Sequence, residues 1–181
     1  MKLYDFGTVI AAVKTKEDFG AALESEVKVI FDLSPDLHEL AERISSAHAA
    51  GKKYFAHLDL ATGIGKDKSG VLFMKKVGTD GVITTRSNIV KIAKELSLPV
   101  IQRFFAVDSK SLETAVDSVN SLKPDMVEIM PGLCVKAVLK VKEHTGVPVI
   151  AGGLIETADE IKAVIDAGAF AVSTGNHNLW R

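Results

Sequence analysis

Several features that mark secreted and membrane proteins are missing from the sequence. Cys134 is the only cysteine among 181 residues, so an intrachain disulfide is excluded, as is usual in a reducing compartment. No apolar run approaches the roughly 18 residues that a membrane-spanning helix needs. Residues 1–20 also lack the long apolar core and the cleavage site of a signal peptide. These absences predict a cytoplasmic protein with no membrane partner.

Neither charge nor aromatic content is typical of a dedicated nucleic-acid-binding domain. The net charge is -1 at pH 7, and aromatic residues make up 6% of the chain. No whole-molecule positive field is available to attract RNA or DNA, so any such contact requires a local basic patch. Apolar residues make up 47%, which is enough for a sizeable core. Since no linker or low-complexity stretch interrupts the chain, we expect a single domain over residues 1–181.

Short apolar segments alternate along the chain with stretches of helical spacing. The segments that predict β-strands are residues 8–13, 27–33, 53–60, 81–85, 99–105, 125–130, 148–153 and 170–174. Between them, Ser34 and Pro35 are typical of a helix start, and Thr157 with Glu160 forms a capping-box pattern. Eight βα repeats predict an α/β fold, the (β/α)8 TIM barrel. An open, doubly wound sheet is the alternative, but no Gly-rich dinucleotide loop follows the first strand.

The chain is short for a TIM barrel, which typically takes about 250 residues. Only the segment "NHNLWR" remains after the turn that follows the eighth predicted strand. We therefore expect a compact barrel whose last helix is trimmed or missing. Such a gap would leave apolar surface beside the eighth and first strands, which predicts self-association into a homo-oligomer.

Charged residues lie near the ends of the predicted strands, at the face where barrels place their sites. Because side chains alternate along a strand, His57 and Asp59 fall inside the barrel, and so does Glu128. In the fifth strand either Gln102 or Arg103 points inward. The charged residues expected at the mouth are Lys14, Asp32, Asp59, Arg86, Arg103 and Glu128. A network of strand-end charges that pair with one another is the alternative to a binding site, and the position of the whole set favours the site.

Small residues form the turns after the last two predicted strands. Gly152 and Gly153 follow the seventh, and the run Ser173, Thr174, Gly175, Asn176 closes the eighth. Glycines let backbone N–H groups approach an anion closely, and these two loops are the recurrent phosphate site of barrels. A short helical turn near Asn176 would aim its N-terminus at the phosphate. Tight βα turns with no ligand are the alternative, but the location on both loops favours a phosphate site.

The same residues leave an enzymatic alternative open. Asp59 and Glu128 could serve as general acid and base, and Lys14 could form a Schiff base if its pKa were lowered. Either arrangement would suit a small phosphosugar isomerase or lyase. His57 has no partner at a metal-binding spacing, so we expect no metal and no cofactor.

The sequence also resembles a known family. The segments that carry the resemblance are "HLDLATGIGKDKSG", "GVITTRSNIVKIAKE", "IQRFFAVDS", "KPDMVEIMPG", "TGVPVIAGGLIETADEI" and "AGAFAVSTGNHNLW". In this order they are similar to the glycerol-3-phosphate-responsive antiterminators, which regulate glycerol uptake operons. The resemblance runs from about residue 8 to Trp180. It implies a barrel without enzymatic activity that binds glycerol 3-phosphate and then acts on leader mRNA, so that transcription passes a terminator.

The resemblance also implies roles for individual residues. Those that match the family's phosphate-binding loops are Gly152, Gly153, Thr174 and Asn176. Those that match its polar strand-end positions, and would reach the glycerol hydroxyls or brace the site, are Asp59, Arg86, Arg103 and Glu128. Lys14 stands where the family tends to have a basic residue. Gly175 departs from the small polar residue expected at its position, which leaves another small phosphate ester open as the ligand.

The RNA partner is implied by the resemblance, since the residues alone give only a weak signal. The best local basic patch is Lys136, Lys140 and Lys142, and a solvated helix face is the alternative reading of it. We therefore expect a catalytically inactive regulator of glycerol metabolism that senses a phosphate ester and binds leader mRNA. The alternatives are the isomerase or lyase, and a phosphate-ester-binding protein that acts through a protein partner.

Overall fold

The computed structural model describes residues 7–181 and contains eight strands, each followed by a helix except the last. The strands are β1 (Val9–Val13), β2 (Val29–Asp32), β3 (Lys53–His57), β4 (Gly81–Thr84), β5 (Val100–Phe105), β6 (Met126–Met130), β7 (Val149–Gly152) and β8 (Ala171–Thr174). The helices are α1 (Lys16–Glu24), α2 (Leu40–Ala49), α3 (Lys68–Val77), α4 (Ser87–Glu95), α5 (Ser109–Leu122), α6 (Val135–His144) and α7 (Ala158–Asp166). Short 3-10 turns follow β3 (Leu58–Leu60) and β8 (His177–Leu179). None of the described helices is long and apolar enough to cross a membrane.

Every strand runs parallel to the next, and β8 pairs with β1, so the sheet closes into a barrel. This confirms the TIM barrel with a trimmed last helix. Alternation divides the strand residues into two layers. The residues that fill the interior are Ile10, Val29, Phe31, Phe55, Ile83, Ile101, Met126, Ile150 and Ala171. The opposite set packs against the helices, so the ends of β3, β5 and β6 turn His57, Arg103 and Glu128 inward.

One charged residue expected at the mouth faces the other way. Asp32 follows Ile30 in the outer layer, so its buried carboxylate lies between β2 and α2. Arg43 Nη1 donates to it at 2.9 Å, and the Tyr54 hydroxyl also donates to it. Burial and the neighbouring carboxylate raise the pKa of Tyr54, which keeps its proton on the hydroxyl. The prediction that Asp32 lies at the mouth is therefore wrong, and the residue connects the barrel to a helix instead.

The second helix begins later than its sequence pattern predicts. It starts at Leu40, whereas Ser34 as N-cap and Pro35 as first helical residue indicated a start five residues earlier. The intervening segment pairs with the loop after β3: the amide of Thr62 donates to the Pro35 carbonyl at 2.9 Å, and that of Leu37 donates to the Thr62 carbonyl at 3.0 Å. These contacts with a neighbouring loop override the local helix-start signal.

Trp180 occupies the place left by the missing eighth helix. Its side chain is 2% exposed and belongs to the same apolar cluster as residues of α1, and its Nε1 donates to the Thr174 carbonyl at 2.9 Å. Within residues 7–181, the exposed large apolar side chain nearest the ends of β8 and β1 is Leu154, which lines the mouth of the barrel. The apolar gap expected there is therefore closed, and self-association stays a prediction without that support.

Candidate functional site

A cavity of about 300 Å³ opens at the C-terminal mouth of the barrel. It brings together most of the predicted ligand-binding residues, namely Lys14, Arg103, Glu128, Gly153, Ser173, Thr174, Gly175 and Asn176. Its remaining wall consists of Ala12, Leu33, Met130, Leu154, Ile155 and Glu156. A volume at the lower end of the usual range for ligand pockets suits a small metabolite.

The floor of the cavity is an ion pair. Glu128 is fully buried, and its Oε2 accepts a hydrogen bond from Arg103 Nε at 2.6 Å. The other carboxylate oxygen accepts from the Ser173 hydroxyl at 2.5 Å. Arg103 is 6% exposed, and its two terminal nitrogens have no hydrogen-bond acceptor within residues 7–181. Glu128 holds one edge of the Arg103 guanidinium, so the free N–H groups of Arg103 are available to a ligand in the cavity.

Gly152 packs against the Glu128 carboxylate and does not line the cavity. A Cβ at this position would lie 2.4 Å from Glu128 Oε1 and 2.6 Å from Ser173 Oγ. Real Cβ atoms do not approach other atoms so closely, so the buried carboxylate requires a glycine here. The residue expected to cradle a phosphate thus lies beneath the ion pair instead.

The loop after β7 lines the cavity and has unpaired backbone N–H groups. Gly153 (φ +78°) and Leu154 (φ +59°) are both in the left-handed region. Their amides have no acceptor among the described residues, and the same is true of Gly175 in the loop after β8. Adjacent unpaired N–H groups at a mouth are well suited to an anion.

Side chains at the end of β8 and in the loop that follows it hold these two loops together. Thr174 Oγ1 donates to the Ile155 carbonyl at 2.7 Å, and Asn176 Nδ2 donates to the Glu156 carbonyl at 3.0 Å. Asn176 also caps the 3-10 turn that the sequence predicts, because its Oδ1 accepts from the Asn178 amide at 3.1 Å. The polar side chains therefore fix the loops, and the backbone supplies the free donors.

Lys14 stands in the wall with an exposed side chain, in a loop tied to the C-terminal turn. Asp18 Oδ2 accepts from the amides of Lys14 and Thr15, each at 3.0 Å, and its Oδ1 lies 2.8 Å from His177 Nε2. Burial raises the pKa of Asp18, but these hydrogen bonds outweigh it and lower that pKa overall. The first and last loops of the barrel are thus connected at the cavity.

Asp59 and Arg86 lie outside the cavity. Asp59 accepts hydrogen bonds from Thr84 Oγ1 and the Thr85 amide, both at 2.7 Å, and Arg86 Nε lies 3.6 Å away. Burial raises the pKa of Asp59, but these donors lower it overall. Asp59 therefore braces the loops after β3 and β4. Asp59 does not line the cavity that contains Glu128.

His57 lies inside the barrel near Arg103. It is 3% exposed, and its Nδ1 has no hydrogen-bond partner within the described residues. Burial, with a further contribution from the Arg103 charge, lowers the pKa of His57 to about 4, so the ring is neutral at physiological pH.

Residues 7–181 contain no cluster of three or more His, Cys, Asp or Glu side chains that could hold a metal ion.

The three lysines proposed for RNA lie on α6 but diverge. Lys140 points toward α5, where its Nζ is 3.7 Å from Glu113. Lys142 lies over Gly168 beyond α7, because a Cβ on that glycine would be 2.0 Å from the Lys142 Nζ. Lys136 is exposed in the first turn of the helix. The three charges therefore do not form one compact patch.

Sequence reasoning missed the apolar wall of the cavity. Leu33 and Met130 follow Phe31 and Glu128 by two positions, so strand alternation alone carried the signal that both point inward. Leu154 carried no such signal, because its left-handed backbone breaks the alternation.

Comparisons with known proteins agree with this architecture. Residues 9–180 match the model of the family described as glycerol-3-phosphate responsive antiterminator. A protein of Escherichia coli K12, YgcP, is 34% identical over 173 residues, which covers 95% of this chain and 91% of that one.

Two solved structures are similar over almost the full length. The glycerol uptake operon antiterminator regulatory protein of Listeria monocytogenes has a TM-score of 0.92 at 34% identity, covering 98% of this chain and 97% of that one. A glycerol uptake operon antiterminator-related protein of Thermotoga maritima has a TM-score of 0.87 at 32% identity, covering 97% and 98%.

The similarity of this chain to solved enzyme structures is limited to the fold. A deoxyribose phosphate aldolase of Aeropyrum pernix has a TM-score of 0.68 at 14% identity, covering 95% of this chain and 87% of that one. The family match and the two similar structures carry the assignment, as the sequence resemblance predicted: the chain belongs to the family of glycerol-3-phosphate-responsive antiterminators.

Proposed function

We propose that this protein binds glycerol 3-phosphate, or a similar small phosphate ester, in the cavity at the barrel mouth, and that the bound form acts on leader mRNA to let transcription pass a terminator. The observation that carries the ligand assignment is the convergence of unpaired donors on one cavity. These donors are the terminal nitrogens of Arg103 and the amides of Gly153, Leu154 and Gly175.

The phosphate group lies at the rim in this proposal. The free amides of the loops after β7 and β8 donate to its oxygens, and Lys14 supplies a positive charge. Charge-assisted hydrogen bonds of this kind are about twice as strong as neutral ones. The rim, rather than the floor, suits a dianion because the floor already contains the buried carboxylate of Glu128.

The glycerol end points to the floor. Hydroxyl oxygens accept hydrogen bonds from the free N–H groups of Arg103, which Glu128 holds in position through Nε. Both oxygens of Glu128 already accept hydrogen bonds, so in this arrangement its role is to orient Arg103.

The ligand assignment is tested by removing the rim charge. Lys14→Gln should weaken binding of glycerol 3-phosphate by about tenfold, the loss expected for one hydrogen bond to a charged group. Lys16→Gln is the matched control, because Lys16 is exposed, pairs with Glu39 at 2.6 Å and does not line the cavity. Equal affinities in both variants, measured by calorimetry, would contradict a phosphate at this rim.

The RNA half of the proposal requires coupling between two binding events. A hundredfold gain in RNA affinity on ligand binding corresponds to about 2.7 kcal/mol of coupling. A mobility-shift assay with leader RNA at two salt concentrations should show a complex that depends on glycerol 3-phosphate and weakens with salt.

The α6 lysines are tested in the same assay. Replacing Lys136, Lys140 and Lys142 together by Gln should weaken the complex and reduce its salt dependence. Lys162→Gln on α7, where the lysine pairs with Asp166, is the control. RNA affinity that is the same with and without glycerol 3-phosphate would contradict the coupling. RNA affinity that is unchanged in the triple variant would mean that the RNA binds to another surface.

A further inference from the structure

The floor of the cavity presents a guanidinium whose charge is already balanced. Arg103 Nε and Glu128 Oε2 are 2.6 Å apart, and the carboxylate is fully buried. We propose that Glu128 makes the site selective for phosphate esters whose other end is uncharged, against those that end in a carboxylate. This inference rests on the proposed function, since it needs a small phosphate ester in the cavity.

Charge repulsion supplies the discrimination. A lone arginine is well matched to a carboxylate, which it binds through two parallel hydrogen bonds. Here a ligand carboxylate at the free N–H groups of Arg103 would share that guanidinium with Glu128. Because Glu128 has no exposed surface, water does not screen the repulsion between the two carboxylates. A hydroxyl accepts the same hydrogen bonds without carrying a charge.

Both carboxylate oxygens of Glu128 are hydrogen-bonded, to Arg103 Nε and to Ser173 Oγ, and these bonds oppose its displacement by a ligand carboxylate. Its second oxygen accepts a 2.5 Å hydrogen bond from the Ser173 hydroxyl. The backbone of Gly152 packs closely against that oxygen, since a Cβ on Gly152 would lie 2.4 Å from it. The negative charge is therefore a fixed part of the floor.

The test compares two three-carbon phosphate monoesters by calorimetry at one ionic strength: glycerol 3-phosphate and 3-phosphoglycerate, which carries a carboxylate in place of the terminal hydroxymethyl group. The unaltered protein should bind glycerol 3-phosphate about 100-fold more tightly, as expected for a like-charge contact in a buried site. In Glu128→Gln the Arg103 charge becomes available, so the ratio should fall below about tenfold.

Glu156→Gln is the matched control, because it removes the same charge from the exposed part of the cavity wall. Solvent screens an exposed carboxylate, so the ratio of the two affinities should stay within about threefold of the unaltered value. A Glu156→Gln ratio that falls as far as that of Glu128→Gln would overturn the inference, since any nearby charge would then suffice.

A second variant keeps the test decisive if Glu128→Gln does not fold. Replacing both partners, Arg103→Met with Glu128→Met, leaves no unpaired buried charge. This double variant should lose the discrimination together with part of its affinity, and a ratio that stays at the unaltered value would contradict the inference. If the unaltered protein binds both esters equally, only the selectivity is wrong. If it binds neither ester, the proposed ligand is wrong and the selectivity falls with it.

Discussion

His57 lies inside the barrel, where burial and the Arg103 charge lower its pKa to about 4, whereas an unfolded histidine titrates near pH 6.5. Between these values the unfolded chain binds more protons than the folded one, so stability falls as the pH drops from about 6.5 to about 4. The loss from this one group is about 3 kcal/mol. His57→Gln should therefore lose less stability between pH 7 and pH 4 than the unaltered protein.

Urea unfolding at both pH values measures this difference. The remaining histidines and carboxylates are the same in both proteins, so their titration cancels in the comparison. An identical loss of stability in His57→Gln would show that His57 titrates normally in the folded state.

Strand alternation predicted single residues well only where the pattern was unambiguous. Glu128 lies between two apolar outward residues, and its inward position followed from the sequence. Gln102 and Arg103 are both polar, so their directions needed the structure, in which Gln102 Nε2 turns outward to Ser118 Oγ at 3.2 Å. Asp32 was misplaced because the three residues of β2 before it are all apolar and give no alternation, and its partner Arg43 lies on a helix whose register the sequence does not specify.

At the scale of elements, the loop after β7 depends on Gly153. This residue has a φ of +78°, and a Cβ there would lie 2.6 Å from the end of the Met130 side chain. Gly153→Ala should cost about 1–3 kcal/mol of stability through backbone strain. It should also weaken binding of glycerol 3-phosphate by at least about tenfold, because the shifted loop amides no longer donate hydrogen bonds to the phosphate.

Gly20→Ala is the matched control for this loop. Gly20 lies in α1, and no atom comes within 4 Å of an added Cβ. Alanine there should stabilise the helix by about 0.5–1 kcal/mol and leave affinity unchanged. Unfolding and calorimetry on the two variants check both quantities, and full ligand affinity in Gly153→Ala would contradict a role for this loop.

Helix ends show how far the sequence specifies elements. The Thr157 and Glu160 capping box was predictable because both partners lie within one turn, and it is present at the start of α7. The start of α2 was not, because the segment after Ser34 pairs with a loop that follows another strand. A helix-start pattern in the sequence predicted the helix correctly where the capping contacts are local. It was wrong where a segment distant in sequence forms hydrogen bonds with the same residues.

At the scale of the whole molecule, Trp180 completes the barrel in place of an eighth helix. Trp180→Ala removes a side chain that is 2% exposed and should cost about 3–5 kcal/mol of unfolding free energy. Val107→Ala is the control, since Val107 is 83% exposed and its loss should change stability by less than about 0.5 kcal/mol. Denaturant unfolding measures both, and similar losses would mean that Trp180 does not hold the C-terminus.

Eight regular repeats made the barrel predictable, and the short tail after the eighth strand predicted the missing helix. The closure of the gap was not predictable, because nothing near Trp180 in the sequence indicates that its indole would reach the Thr174 carbonyl and the cluster around α1.

If the mouth binds both halves of a small phosphate ester, calorimetric titration will separate their contributions. Glycerol 3-phosphate is titrated into the unaltered protein, with glycerol and inorganic phosphate as controls. We expect micromolar binding of glycerol 3-phosphate, with each control at least about 100-fold weaker because it engages only the floor or only the rim. Binding of inorganic phosphate as tight as that of the ester, or no binding of the ester, would contradict this expectation.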